Sequence, residues 1–161
     1  MNLYLNISDI KNNVSEEIDV CDNIRYLYPK KNTIMQGEFT KILYSKDYVT
    51  INGLYIYLPI SVERKSSYEN NHTRYICNVS SNIQLIQDLS NIEKNILANY
   101  KIYKKTRKRC EYVLNKQLMT KQIRVYHDNN YNKRKTHYVI KISGIWETMD
   151  SIGVTYKILE L

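Results

Sequence analysis

The apolar positions of this chain follow a period of two in its middle and near its end, and a helical period between. Residues 37–44 read Gly-Glu-Phe-Thr-Lys-Ile-Leu-Tyr and predict a strand; Ser45-Lys46-Asp47 is turn-like, and residues 48–51 (Tyr-Val-Thr-Ile) resume the strand pattern. Asn52-Gly53 predicts a tight hairpin, because both central positions of a type I′ turn need positive φ. Residues 54–60 follow, with Tyr55 and Tyr57 on one face and Leu54, Ile56 and Leu58 on the other. The expectation is a three-stranded meander. Residues 64–73 are polar and predict a loop, and residues 75–79 one more strand. Ser81 with Gln84 makes a capping-box pattern. Ile86, Leu89, Ile92, Ile96, Leu97, Tyr100 and Tyr103 then recur at three- and four-residue spacing, which predicts one long helix. A second, shorter helix is expected over 109–119, with Val113, Leu114 and Leu118 inward. Residues 122–126, 137–144 and 154–159 alternate as strands, Val139 and Lys141 facing away from Tyr138, Ile140 and Ile142. Residues 128–135 predict an exposed loop. At the start, residues 2–7 have strand propensity, residues 8–21 are acidic and polar, and Tyr26-Leu27-Tyr28 predicts a short strand ended by Pro29.

This order predicts an α+β fold, mainly β: an OB-fold-like antiparallel barrel or sheet with one long helix and one short helix. The same string also fits other α+β layouts with helices on one side of an antiparallel sheet. The length of 161 residues, with 4 glycines and 2 prolines, predicts a single domain over 1–161. Within it, 1–34 is an N-terminal strand with an acidic extension and 35–161 an OB-like core.

Charge changes the picture from a fold to a surface. Thirteen basic residues and only two acids, Glu111 and Asp128, lie between residues 101 and 141, while the rest of the chain is net negative. Tyrosines are interleaved: Tyr100, Tyr103, Tyr112, Tyr126, Tyr131 and Tyr138. There are 16 tyrosines against 1 phenylalanine and 1 tryptophan, a bias that an AT-rich coding sequence also produces, though such a bias would spread lysines evenly. A basic groove with flat rings suits single-stranded nucleic acid, where phosphates attract cations and unstacked bases stack on aromatics. The candidate binding residues are Lys101, Lys104, Lys105, Arg107, Lys108, Arg109, Lys121, Arg124, Lys133, Arg134 and Lys135, with Tyr55, Tyr57, Tyr126 and Tyr131 as stacking platforms. The plain alternative is a solvated helix face followed by a solvated loop. Trp146, at a strand end, is expected to plug the core or cap a barrel end rather than to stack on a base.

No catalytic signature accompanies this surface. The sequence has no phosphate-binding loop, dinucleotide turn, HExxH or nucleophile elbow. Cys21, Cys77 and Cys110 form no CxxC, and His72, His127 and His137 fall in no metal-ligand spacing, so neither a metal nor a cofactor is expected. Cys110 lies among cations, but no base for a catalytic thiol is identifiable. Isolated thiols predict a reducing, intracellular setting. No apolar run approaches a membrane span, and residues 1–6 lack the basic and apolar regions of a secretory signal.

Four segments carry a resemblance: Phe39-Thr40-Lys41-Ile42-Leu43-Tyr44-Ser45, Thr50-Ile51-Asn52-Gly53-Leu54-Tyr55-Ile56, Lys141-Ile142-Ser143-Gly144-Ile145-Trp146-Glu147-Thr148, and Gly153-Val154-Thr155-Tyr156-Lys157. Together they resemble uncharacterised proteins of large nucleocytoplasmic DNA viruses, some of which are similar to the OB-fold single-stranded-DNA-binding proteins of viruses and phages. The resemblance implies a replication-linked DNA binder in the host cytoplasm (the viral factory) or in the virion. It also implies an acidic C-terminal tail for recruiting partners, which Lys157-Ile158-Leu159-Glu160-Leu161 does not supply. The functional expectation is a non-catalytic single-stranded nucleic-acid binding protein, with self-association left open and no membrane. The alternative is a viral structural or assembly protein whose basic surface docks DNA or an acidic partner.

Overall fold

In chain order the elements are β1 (Ile24–Tyr26), β2 (Lys30–Lys31), β3 (Glu38–Lys46), β4 (Val49–Ile51), β5 (Leu54–Leu58), β6 (Val62–Glu69), β7 (His72–Cys77), α1 (Ile83–Lys104), β8 (Arg109–Glu111), α2 (Val113–Met119), β9 (Gln122–His127), β10 (Tyr138–Glu147) and β11 (Ser151–Glu160). The computed structural model describes residues 4–7, 20–69, 72–127 and 137–160.

Alternation builds the centre of the sheet. Tyr138, Ile140, Ile142 and Ile145 of β10 and Ile152, Val154 and Ile158 of β11 share one face through the register Ile140↔Ile158 and Ile145↔Val154, and all are buried. From this hairpin the strand path runs β1-β3-β10-β11-β9-β7-β6, with β2 and β4 on β3, β5 on β10 and β8 on β11. β8 and β9 lie parallel to β11; the other strand pairs are antiparallel. The fold is therefore α+β, mainly β: an open mixed sheet with one long and one short helix. Among the described residues no pairing joins β6 to β1, so the path keeps two ends. Leu5 adds an isolated parallel bridge to Ile56.

The apolar stripe of α1 packs on the isoleucine face. Ile86, Leu89, Ile92, Ile96, Leu97 and Tyr100 are buried in one cluster that runs from Cys21 to Ile158, each aliphatic side chain contributing about 1.5–3 kcal/mol. Leu114 and Leu118 of α2 join the same cluster. Glu93, fully buried on α1, accepts the backbone N–H groups of Leu114 (2.9 Å) and Asn115 (3.0 Å), and so caps α2 from a different helix. Burial raises the Glu93 pKa; the N–H groups of Leu114, Asn115 and Val113, with Lys116, oppose the rise without cancelling it. α1 stops at Lys105, whose φ of 52° turns the chain so that the N–H groups of Lys105 and Thr106 donate to the carbonyls of Ile102 and Lys101.

Four expectations are corrected. The 64–73 stretch is no loop: β6 and β7 form a hairpin across it. Its polar sequence suits an edge strand, where bulges and charges discourage further pairing, and β6 carries two register shifts. Asn52-Gly53 closes no hairpin. Gly53 has φ 97° but Asn52 has negative φ, so the turn is not type I′. The chain instead turns a corner there, passing from β4, paired with β3, to β5, paired with β10. The Ser81 capping box does not form either. Residues 80–82 make a short 3-10 turn, and the Asn82 amide ties that turn to the backbone of Ser61 and Asn78. The second helix begins at Val113, after β8 rather than at Arg109.

Candidate nucleic-acid interface

The residues that alternate with the buried isoleucines lie on the sheet's second face, where Val139 and His72 are themselves buried. Across β5, β10 and β11 the registers Tyr55↔Lys141 and Lys141↔Lys157 set three of these side by side. One residue before the parallel pair Ile158↔Val125, Lys157 and Arg124 line one cleft, and Arg124 is paired with Arg74 on β7. Tyr55, Lys141, Lys157, Arg124 and Arg74 thus form a transverse row over five strands, roughly 19 Å long at a strand spacing of about 4.8 Å. The next row, two residues along each strand, is Tyr57, Val139, Leu159, Tyr126 and His72. A cationic row therefore lies against a largely apolar and aromatic one.

Rings and cations are already in register. The Lys141 ammonium stands 5.1 Å from the Tyr55 ring centroid, and the Lys157 ammonium 5.1 Å from that of Tyr126. Among the described residues, no carboxylate is within ion-pair distance of Lys141, Lys157 or Arg124. Lys141↔Lys157 and Arg74↔Arg124 are like-charge pairs directly opposite on neighbouring strands, an arrangement that destabilises a sheet. Further down the same face Lys41 pairs with Gly144, and Phe39 with Trp146. Trp146 is half-buried across Gly153, where a Cβ would meet its ring at 2.3 Å. The only tryptophan therefore lies on the sheet's second face and not in the core beneath α1.

The sequence-derived candidates divide into separate groups. Lys101, Lys104, Lys105, Arg107, Lys108 and Arg109 gather where α1 ends, beside the turn between β10 and β11. Several of them have carboxylate partners there. Lys104 reaches Glu38 (3.4 Å), Arg109 reaches Glu111 (2.9 Å), and the Lys108 ammonium donates to Glu147 (2.6 Å) and to the Thr148 carbonyl (2.7 Å). Glu147 also accepts from the buried Tyr100 hydroxyl (3.0 Å), which touches Thr40 Oγ1 (2.9 Å). Burial opposes ionisation of Glu147, but Lys108 and Tyr100 outweigh it and hold its pKa low. Burial pushes the Tyr100 phenol up, and Glu147 adds to the rise against the Thr40 hydrogen bond. Arg109 aligns with Ser151, six residues along β11 from Lys157 and so roughly 20 Å away. Lys121, exposed at φ 63°, precedes β9, and its carbonyl accepts the N–H of Cys77. Among the described candidate cations, only Arg124 joins the row, alongside Tyr55; Tyr57 and Tyr126 fall in the adjacent row. Tyr131, Lys133, Arg134 and Lys135 lie outside the described residues.

Lys41, Arg74 and Lys157 share this face without having been singled out, and Lys141, counted in the basic stretch but not among the candidate binding residues, joins them. Their common signal is a cation at the outward position of an alternating strand, as in Val139-Ile140-Lys141-Ile142. Local charge density does not detect it.

One buried constellation has the order of a catalytic triad. Thr73 Oγ1 meets His127 Nε2 (2.5 Å), and His127 Nδ1 meets the Glu160 carboxylate. Thr73 is completely buried, so no substrate carbonyl can reach its oxygen. The three residues tie β7, β9 and β11 together. The three cysteines form no disulfide, and burial, with Glu63, pushes Cys77 up to about 11. Among the described residues no three His, Cys, Asp or Glu side chains gather as metal ligands, and no helix is long and apolar enough to cross a membrane. No protein-family model matches this chain, and neither does any curated protein or solved structure.

Proposed function

We propose that the protein binds single-stranded nucleic acid, without catalysis, on the sheet face opposite its helices. The observation that supports this reading is the transverse row Tyr55-Lys141-Lys157-Arg124-Arg74 beside Tyr57 and Tyr126. Phosphates of one strand would run along the cations while bases stack on the neighbouring rings, at about 1–3 kcal/mol per stacked base. The like-charge pairs support the same reading, since a polyanion converts their repulsion into attraction. The OB-like layout expected from the sequence fits this use of a sheet face but is not required by it.

Fluorescence anisotropy of a labelled oligonucleotide against salt concentration tests the proposal. With about four phosphate contacts on a single strand, log K falls against log salt with a slope of roughly −3. Arg124→Gln reduces that slope by about 0.7, whereas Arg107→Gln, exposed at the far end of the molecule, leaves it unchanged. A slope that responds to Arg107 and not to Arg124 moves the site to the end of α1, and no binding at low salt removes the function.

A second reading, self-assembly, has its own observation. Ile34 is 95% exposed and Met149 86%, and Met35 and Met149 border a cavity of about 570 Å³ with Lys108. Light scattering on the nucleic-acid-free protein distinguishes the two: a large particle favours assembly, a monomer the binding reading.

A further inference from the structure

β11 has two partners on one edge, β8 at its start and β9 at its end. Between them, α2 carries the chain away from the sheet, and the edge of β11 around Tyr156 opens into a cleft of about 450 Å³. That volume falls within the range of small-ligand sites. The mouth of the cleft is the cationic row, with Arg74, Arg124 and Lys157 lining it beside Tyr126. Its inner wall differs in kind. Tyr156 belongs to the face beneath the helices, in register with Ile142, yet it too lines the cleft, as does Gln117 from α2. Among the described residues the Tyr156 hydroxyl has no hydrogen-bond partner. Burial, with the charge of Glu93 adding to it, raises its pKa, so it stays protonated and available as a donor. The Gln117 side chain donates to the Gln122 carbonyl (2.8 Å), leaving its amide oxygen as an acceptor. A half-buried phenol without a partner, an amide edge and three cations at one opening suit a ligand that is anionic at one end and planar and polar at the other.

We infer that this cleft binds a nucleoside monophosphate unit, its phosphate held by Arg74, Arg124 and Lys157 and its base inserted toward Tyr156 and Gln117. The inference deepens the reading of the sheet face, because the cleft opens at the Lys157-Arg124-Arg74 end of the cationic row. A strand lying along the row would then place its phosphorylated end in the cleft. The unit can also be a free nucleotide, and the experiment separates the two sources.

Competition anisotropy compares one short oligonucleotide carrying a 5′-phosphate, a 3′-phosphate or neither. In parallel, amide and ring NMR signals are followed while a nucleoside monophosphate, and then the nucleoside alone, is added. The expected result is roughly tenfold tighter binding of one phosphorylated end, equivalent to about 1.4 kcal/mol. Shifts at Ile123, Arg124 and Lys157 with the monophosphate and not with the nucleoside are expected with it. Tyr156→Phe, which keeps the ring and the fold and removes only the hydroxyl, cuts the preference between ends. If all three strands bind equally and the monophosphate shifts nothing, the cleft inference is overturned while the sheet-face reading stands. If no strand binds but the monophosphate shifts the cleft signals, the sheet-face reading falls and the cleft is a free-nucleotide site. If neither ligand binds, both are overturned.

Discussion

Glu93 and Glu147 are both buried, and their pKa values move in opposite directions. Glu147 is held low by Lys108 and Tyr100 against its burial. Its contribution is complete above the unfolded carboxylate pKa of about 4.3 and is lost as pH falls through its lower folded value. Glu93 is raised, so between about 4.3 and its folded pKa the native state binds more protons than the unfolded chain, and stability falls as pH rises through that window. Urea titrations across acidic pH should separate the two. Glu147→Gln should cost about 2 kcal/mol near neutrality, because Lys108 loses a charge-assisted partner, and should weaken the acid-side loss. Glu93→Gln should flatten the decline that begins above about 4.3 while keeping one acceptor for α2. Glu93→Leu leaves the Leu114 and Asn115 N–H groups without that acceptor and should cost about 2–4 kcal/mol. A Glu93→Gln protein with an unchanged pH profile would show that Glu93 is ionised in the native state at no cost.

At the scale of elements, packing between a glycine and a ring makes a local probe. Trp146 lies across Gly153 on the neighbouring strand and is the only tryptophan, so its emission reports this face alone. Gly153→Ala forces the indole off the sheet and should cost about 1–3 kcal/mol, with a red-shifted emission. In the unmodified protein an oligonucleotide should alter the same emission; an unchanged spectrum at saturating oligonucleotide would place bound strands elsewhere. Strands β3, β5, β9, β10 and β11 and helix α1 were legible because each has a buried face that imposes a period on the sequence. β6 was not: an edge strand is held by backbone pairing and has no such periodic requirement. Asn52-Gly53 misled because hairpin chemistry is local, whereas β5 takes its partner from β10, more than eighty residues later. The site shows the same division. Tyr55, Tyr57, Arg124 and Tyr126 are legible from alternation and charge. The density of cations at 104–109 pointed elsewhere because their partners Glu38 and Glu147 come from distant strands.

For the whole molecule, the formal net charge of +8 is distributed unequally between two groups of cations. At the end of α1, Lys104, Lys108 and Arg109 have acids beside them; on the sheet's second face Lys141, Lys157 and Arg124 have none among the described residues. Stability and binding should therefore oppose one another at Arg124. Replacing it with Gln removes one member of the Arg74↔Arg124 pair, which should stabilise the folded protein by about 0.5 kcal/mol at low ionic strength. Screening with a Debye length of about 8 Å near physiological salt should erase most of that gain. The same substitution should weaken oligonucleotide binding, most strongly where the stabilisation is largest, because both effects arise from the Arg124 charge. Urea midpoints and anisotropy measured on the same samples across a salt series test the link. Paired curves that converge with salt support a surface kept repulsive for a polyanion. A variant that loses stability while binding is unchanged would make Arg124 a packing residue, and the row would lose its link between Lys157 and Arg74.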